Sequence, residues 1–317
     1  MSLESITLQD PHTGSQAKIA PGCGFNCFSF RAVLDGEEHE VLWSSPDFLE
    51  GTGSPSGSGI PLLFPFPGRL RGTTFSFEGK QYPLTLARTD ALGNAIHGFA
   101  LNRAWEVAEL TETKAVGIFH ASQVEPKLLG QWPSDFRLTA TYELSGNTLS
   151  FQLKVENVGE SRLPFGFGTH PYFRVPLANG SPPEACRVTV PASGFLEMID
   201  MIPTGKFSPA TGPRDVRSGV AFPDAAFDDL FNGLEFTAGT CSATLSDSKA
   251  NRSLAVRFGE AFPYCVVYNP PHREAICLEP YTCLPDAYAL AEQGVETGLR
   301  VLAPEASFTT SVVMEMQ

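Results

Sequence analysis

His170 and Glu279 are the residues whose settings best suit proton transfer. His170 lies in Pro164-Phe165-Gly166-Phe167-Gly168-Thr169-His170-Pro171-Tyr172-Phe173. Glycine alternating with Phe permits close backbone approach and a local bend. Pro171 holds the His170 backbone extended and denies a sheet one donor. The imidazole is thus set at a strand end among aromatic rings. There it serves either as an acid–base group near neutral pH or as a core histidine bonded to a backbone carbonyl. Glu279 lies in Ala275-Ile276-Cys277-Leu278-Glu279-Pro280-Tyr281. A carboxylate in an apolar strand is costly to bury unless it is paired or functional. Alternation puts Ile276 and Leu278 on one face and Glu279 with Cys277 and Ala275 on the other, where small residues leave room for a ligand. The competing reading is a strand-end Glu pointing to water. A His and a Glu hold opposite protonation states at one pH almost without tuning, as a general acid and a general base require.

Other candidates carry weaker signals. Gly98 after His97, in Gly93-Asn94-Ala95-Ile96-His97-Gly98-Phe99, marks a turn or bulge that re-aims His97. Arg69 ends the rigid run Pro61-Leu62-Leu63-Phe64-Pro65-Phe66-Pro67-Gly68 and could present a fixed donor fork to hydroxyls or a carboxylate. Asp228 and Asp229 sit between aromatics in Phe227-Asp228-Asp229-Leu230-Phe231 and suit a hydroxyl or a plain acidic turn. There is no phosphate loop, nucleophile elbow or two-His zinc helix. The chain has 35 acidic residues, but only Glu279 has the setting that a glycosidase would need twice. The seven cysteines are scattered without zinc-knuckle spacing and read as free thiols of a reducing cytoplasm.

The elements that must hold these residues are strands. Phe75 to Phe77 enters a turn at Glu78-Gly79-Lys80, and Phe136–Leu144 and Thr148–Val155 alternate on either side of Ser145-Gly146-Asn147 as a long hairpin. Further strands are expected at Arg187–Val190, Ala243–Leu245, Leu254–Phe258, Cys265–Tyr268 and Phe308–Met314. Ser44 to Gly59 reads as a loop, Ala192 to Asp229 as a long surface excursion, and Pro285–Glu292 as a short helix. One all-β antiparallel sandwich over residues 1–317, as a single domain, accounts for the pattern. Net charge of −13 with no basic run disfavours nucleic acid and anionic membrane, and no stretch is long enough to span a bilayer. The N-terminal stretch lacks the marks of an ordinary secretory signal, and a cytoplasmic monomer or weak homodimer is expected.

The ordered blocks resemble the aldose 1-epimerase (galactose mutarotase) family. They are Gly68-Arg69-Leu70, Asn94 to Phe99 with Trp105, Thr169 to Phe173, Phe227 to Phe231, and Cys277-Leu278-Glu279-Pro280 with Pro285-Asp286-Ala287. The resemblance runs from about Gly59 to the C-terminus. It implies a β-supersandwich acting on a small sugar with neither metal nor nucleotide. It makes His170 the general acid and Glu279 the general base, with His97, Arg69 and Asp228 as sugar-binding residues. Two positions depart: Gly68 replaces the Asn that usually precedes the Arg, and Val266 stands where Gln is common. Both remove hydroxyl contacts. Divergent relatives that act on hexose 6-phosphates surround the phosphate with basic residues, which directs attention to Arg69, Arg71 and Arg103. A non-catalytic carbohydrate-binding sandwich is the remaining reading.

Overall fold

The computed structural model describes residues 3–317. Its strands form two large antiparallel sheets, of nine and eight strands, with smaller sheets beside them. The elements that bear on the site are β1 (Leu62–Leu63), β2 (Arg69–Leu70), β3 (Ala95–Ile96), β4 (Phe136–Ser145), β5 (Thr148–Asn157), β6 (Gly168–Thr169) and β7 (Tyr172–Arg174). They continue with β8 (Ala192–Ile199), β9 (Ile202–Pro209), β10 (Asp228–Leu234), β11 (Arg252–Gly259), β12 (Tyr264–Tyr268), β13 (Ala275–Tyr281), helix α1 (Ala287–Glu292) and β14 (Ser307–Met316).

The nine-stranded sheet is built outward from β4, β5, β14 and β11, which lie side by side in that order. The β4–β5 hairpin keeps unbroken register from Phe136↔Asn157 to Ser145↔Thr148. Its buried and solvent-facing residues alternate as the sequence predicts, because one face covers the core and the other meets water. The second sheet runs β9-β8-β10-β12-β13-β6-β1, and β7 pairs with β13 beside β6. Leu278, Val267 and Phe231 on one face join the main core, while Glu279, Val266 and Leu230 point the other way. Large aromatics, among them Phe64, Phe66, Phe99 and Trp132, fill the main core.

Ser44 to Gly59 is irregular apart from a short 3-10 turn at Phe48–Glu50. The helix is present as α1, but Asp286 does not cap it. Its backbone is left-handed (φ 51°), and its carboxylate accepts from the Arg71 backbone N–H at 3.0 Å. The surface excursion expected at Ala192 to Asp229 is confined to residues 210–227, which hold only 3-10 turns and a two-residue strand. β8 and β9 form a hairpin at the edge of the second sheet, and Asp228 opens β10. Two features hide this hairpin. A bulge between Leu196 and Met198 breaks the alternation. Its turn residues, Asp200 and Met201, both take positive φ without the Gly or Asn that signals such a turn. All seven cysteines are unpaired. Among the described residues, no helix is long and apolar enough to cross a membrane.

Candidate active site

A cavity of about 180 Å³ lies over the second sheet, lined by Arg69, His97, His170, Asp228 and Glu279 together. The ladder explains the central pair. Gly168 pairs with Tyr281 and Tyr172 with Cys277. Continuing that register through Pro171 brings His170 level with Glu279, each at the same height on neighbouring strands. The His170 backbone N–H donates to the Pro61 carbonyl at 3.0 Å, fixing the corner. His170 Nδ1 and Glu279 Oε1 are 3.4 Å apart, with exposures of 9% and 1% for the two side chains. The Tyr281 hydroxyl donates to Glu279 Oε2 at 2.9 Å. The Tyr172 ring stacks parallel to the His170 ring at 4.8 Å between centroids, and Tyr268 meets its edge at 5.9 Å.

The second histidine arrives through β2 and β3. Ile96 pairs with Arg69, and the His97 N–H donates to the Gly68 carbonyl at 2.9 Å. His97 has φ 64° and Gly98 φ 71°, consecutive left-handed residues that swing the imidazole out of the strand. A Cβ at position 98 would lie 2.1 Å from the Phe64 carbonyl oxygen, so only glycine fits there. Non-glycine residues in this region cluster where function needs them. The two imidazoles meet edge to face at 5.6 Å. The Nδ1 atoms of His97 and His170 are both buried without a hydrogen-bond partner. The His170 atom faces the Glu279 carboxylate at 3.4 Å, longer than a well-formed hydrogen bond.

Arg69 reaches the cavity with its Nε tied to Asp90 Oδ2 at 2.9 Å. Asp90 also accepts from the Leu92 and Asn94 N–H groups, which makes it a rigid anchor for the guanidinium. Asp228 stands at the solvent-reached rim. The protein around it still raises its carboxyl pKa by desolvation, against the pull of Arg69. Arg71 bonds Asp286, while Arg103 is consumed by the Phe99 and Leu86 carbonyls. Of these three arginines only Arg69 lines the cavity.

Burial sets the protonation of the pair. Desolvation pushes Glu279 well above the usual carboxylate range, against the Tyr281 hydrogen bond, which lowers it. Desolvation also lowers His170 to about 3, and it holds His97 well below its ordinary value. In the free protein these shifts favour protonated Glu279 and neutral His170. The sequence-based assignment placed that one proton on His170.

His170, Cys277 and Glu279 each offer a ligand atom within 4.8 Å of the others. These are ligand types that zinc accepts, and all three side chains are buried.

Sequence reading missed Tyr281 and Asp90, which hold Glu279 and Arg69, and the Met198, Met201 and Pro285 lining. Tyr281 was traceable, since it lies two residues beyond Glu279 on the same strand face. Of the aromatics near His170 in sequence, Tyr172 lines the cavity, while Phe165 and Phe173 belong to the core.

The cavity floor thus carries a buried His–Glu pair, framed by an antiparallel supersandwich. Residues 5–315 match the family model for aldose 1-epimerase, and the chain belongs to that family. It is 24% identical over 292 residues to the uncharacterized protein YphB of Escherichia coli K12, covering 88% of this chain and 92% of YphB. The match to uncharacterized protein YihR of the same organism is 29% over 119 residues, 37% of each chain. In fold the chain is similar to a galactose mutarotase-like protein from Clostridium acetobutylicum (TM-score 0.85, 23% identity, covering 100% and 99% of the two chains). It also resembles a GalM/aldose epimerase homologue from C. elegans (TM-score 0.80, 18% identity, 100% and 99%).

Proposed function

We propose that this chain is an aldose 1-epimerase that interconverts the α and β anomers of a free aldohexose such as glucose or galactose. The observation that carries the proposal is the level placement of His170 and Glu279, 3.4 Å apart on the cavity floor. Glu279 takes the proton of the C1 hydroxyl while His170 delivers one to the ring oxygen. The bond from C1 to the ring oxygen breaks, an aldehyde forms at C1, and a hydroxyl forms at C5. Rotation about C1–C2 presents the other face of the aldehyde, and closure reverses both transfers. His97 steadies the ring-oxygen region, and Arg69 and Asp228 bind hydroxyls.

The pKa directions gain a meaning in this cycle. While the sugar is open, Glu279 holds a proton and His170 is neutral. That is the distribution that burial favours. A bound sugar allows the starting distribution. Its C1 hydroxyl donates to the Glu279 carboxylate, and its ring oxygen accepts from the His170 imidazolium.

A phosphorylated substrate is less favoured, because Arg71 and Arg103 are engaged away from the cavity. A sugar-binding sandwich without catalysis would not need two proton-transfer groups level with each other. The seven unpaired thiols fit a cytoplasmic enzyme.

Polarimetry of freshly dissolved α-glucose and α-galactose, with glucose 6-phosphate alongside, tests this reading. Glu279→Gln and His170→Asn should each lower kcat by roughly 100-fold or more, the scale of acid–base contributions. Unchanged rates would defeat the assignment. The pH profile of kcat/KM should fall toward about 3 as His170 gains a second proton for the pair. Its basic limb should lie well above the carboxylate range, where the shared proton is lost.

A further inference from the structure

The strand register extends beyond the catalytic pair. Glu279 pairs with Val266 and Val266 with Leu230. The β8–β10 register, Phe195↔Phe231, continues to set Leu196 level with Leu230. One row therefore crosses the sheet on a single face: His170, Glu279, Val266, Leu230, Leu196. Two proton-transfer groups are followed by three buried aliphatic side chains. Met198 and Met201 join the cavity lining from the neighbouring hairpin.

C1 of an aldopyranose has only two ring neighbours, the ring oxygen and C2. With the ring oxygen toward His170 and the C1 hydroxyl toward Glu279, C2 lies on the side away from His170. The next strand in that direction, about 4.8 Å on, presents Val266. Val266 offers no polar side-chain atom, and its strand is laddered on both sides. Asp228 and Tyr268 lie two residues along from Leu230 and Val266, about 7 Å away, facing the sugar's far hydroxyls.

We propose that the site recognises its sugar without using the C2 hydroxyl, so that 2-deoxyaldoses are full substrates. The proposal rests on the epimerase reading and specifies its substrate class. A C2 hydroxyl over Val266 gives up hydrogen bonds to water and gains none, whereas a methylene there meets an apolar surface. A site built to bond that hydroxyl would instead reject the deoxy analogue by tenfold or more, because its own polar group would be left unpaired.

The test compares glucose, 2-deoxyglucose and 3-deoxyglucose, with each catalysed rate divided by the spontaneous rate for that sugar. The wild-type protein should retain kcat/KM on 2-deoxyglucose within about threefold of glucose or above it, and lose about tenfold on 3-deoxyglucose. Val266→Gln, confirmed folded by circular dichroism, should shift the preference about tenfold toward glucose. A tenfold or greater wild-type loss on 2-deoxyglucose overturns the proposal. So does an unchanged preference in Val266→Gln. Acceleration of neither glucose nor its deoxy analogues removes the epimerase reading and this proposal with it, whereas failure on 2-deoxyglucose alone removes only this proposal.

Discussion

Glu279 is the residue around which the site is arranged, and its burial has a consequence for stability as well as chemistry. Its folded pKa lies well above the ordinary 4.5, and that of His170 falls from 6.5 to about 3. A raised carboxyl contributes stability that is fully present below the unfolded value and is lost as pH rises through the folded one. The depressed histidine acts oppositely, so stability rises with pH from about 3 to 6.5. Above 4.5 the loss from Glu279 offsets the gain from His170, which itself ends at 6.5. Glu279→Gln should therefore gain stability relative to the parent as pH rises above about 4.5, by at most about 1.4 kcal/mol per pH unit. Denaturant midpoints across that range read it directly, and a constant difference would mean that Glu279 titrates as an ordinary carboxylate. The position of this carboxylate was legible, because alternation set it on a face of small residues. Its protonation was not. Desolvation depends on the strands that flank the group, β6 and β12 among them, and β6 comes from a distant part of the chain.

Short paired elements do the aiming. β2 and β3 are two residues each, yet they hold Arg69 and His97 at the cavity. Gly68 precedes them, where the resemblance to the family leads one to expect Asn. The structure supplies a physical reason: a Cβ there would sit 2.7 Å from Cγ of Pro285. Its φ of 66° is one that Asn tolerates, so the obstacle is the proline rather than the backbone. Gly68→Asn alone should cost about 1–3 kcal/mol, as overpacking does. Combined with Pro285→Ala it should recover most of that loss. A double-mutant cycle by chemical denaturation measures the coupling, and additive effects would show that the two positions are independent. The longer elements were readable because ten-residue alternation leaves little choice of register. The β8–β9 hairpin was not, since its bulge and its Asp200-Met201 turn carry none of the usual marks. Met198 and Met201 escaped notice with it.

At the scale of the molecule, the sheet that carries the cavity and the sheet that carries most of the long ladders are different. Met314 on β14 pairs with Leu149 and Val256 in the nine-stranded sheet and is fully buried, with no contact to the cavity. Met314→Ala should lower stability by about 2–5 kcal/mol, the usual cost of such a truncation, while leaving kcat unchanged below the unfolding transition. Denaturation and polarimetry on the same preparation separate the two effects, and a proportionate loss of kcat would tie the sheets together.

The place of β14 also sets a timetable. It lies between β5 and β11, so β5 ends at Asn157 and waits about 150 residues for the neighbour that covers its edge. At a synthesis rate of about 5–20 residues per second, that edge stays open on the ribosome for roughly 10–30 s. An uncovered edge is a template for the wrong partner. The β4–β5 hairpin can form early, but the nascent chain must be shielded until the strand that completes the sheet emerges.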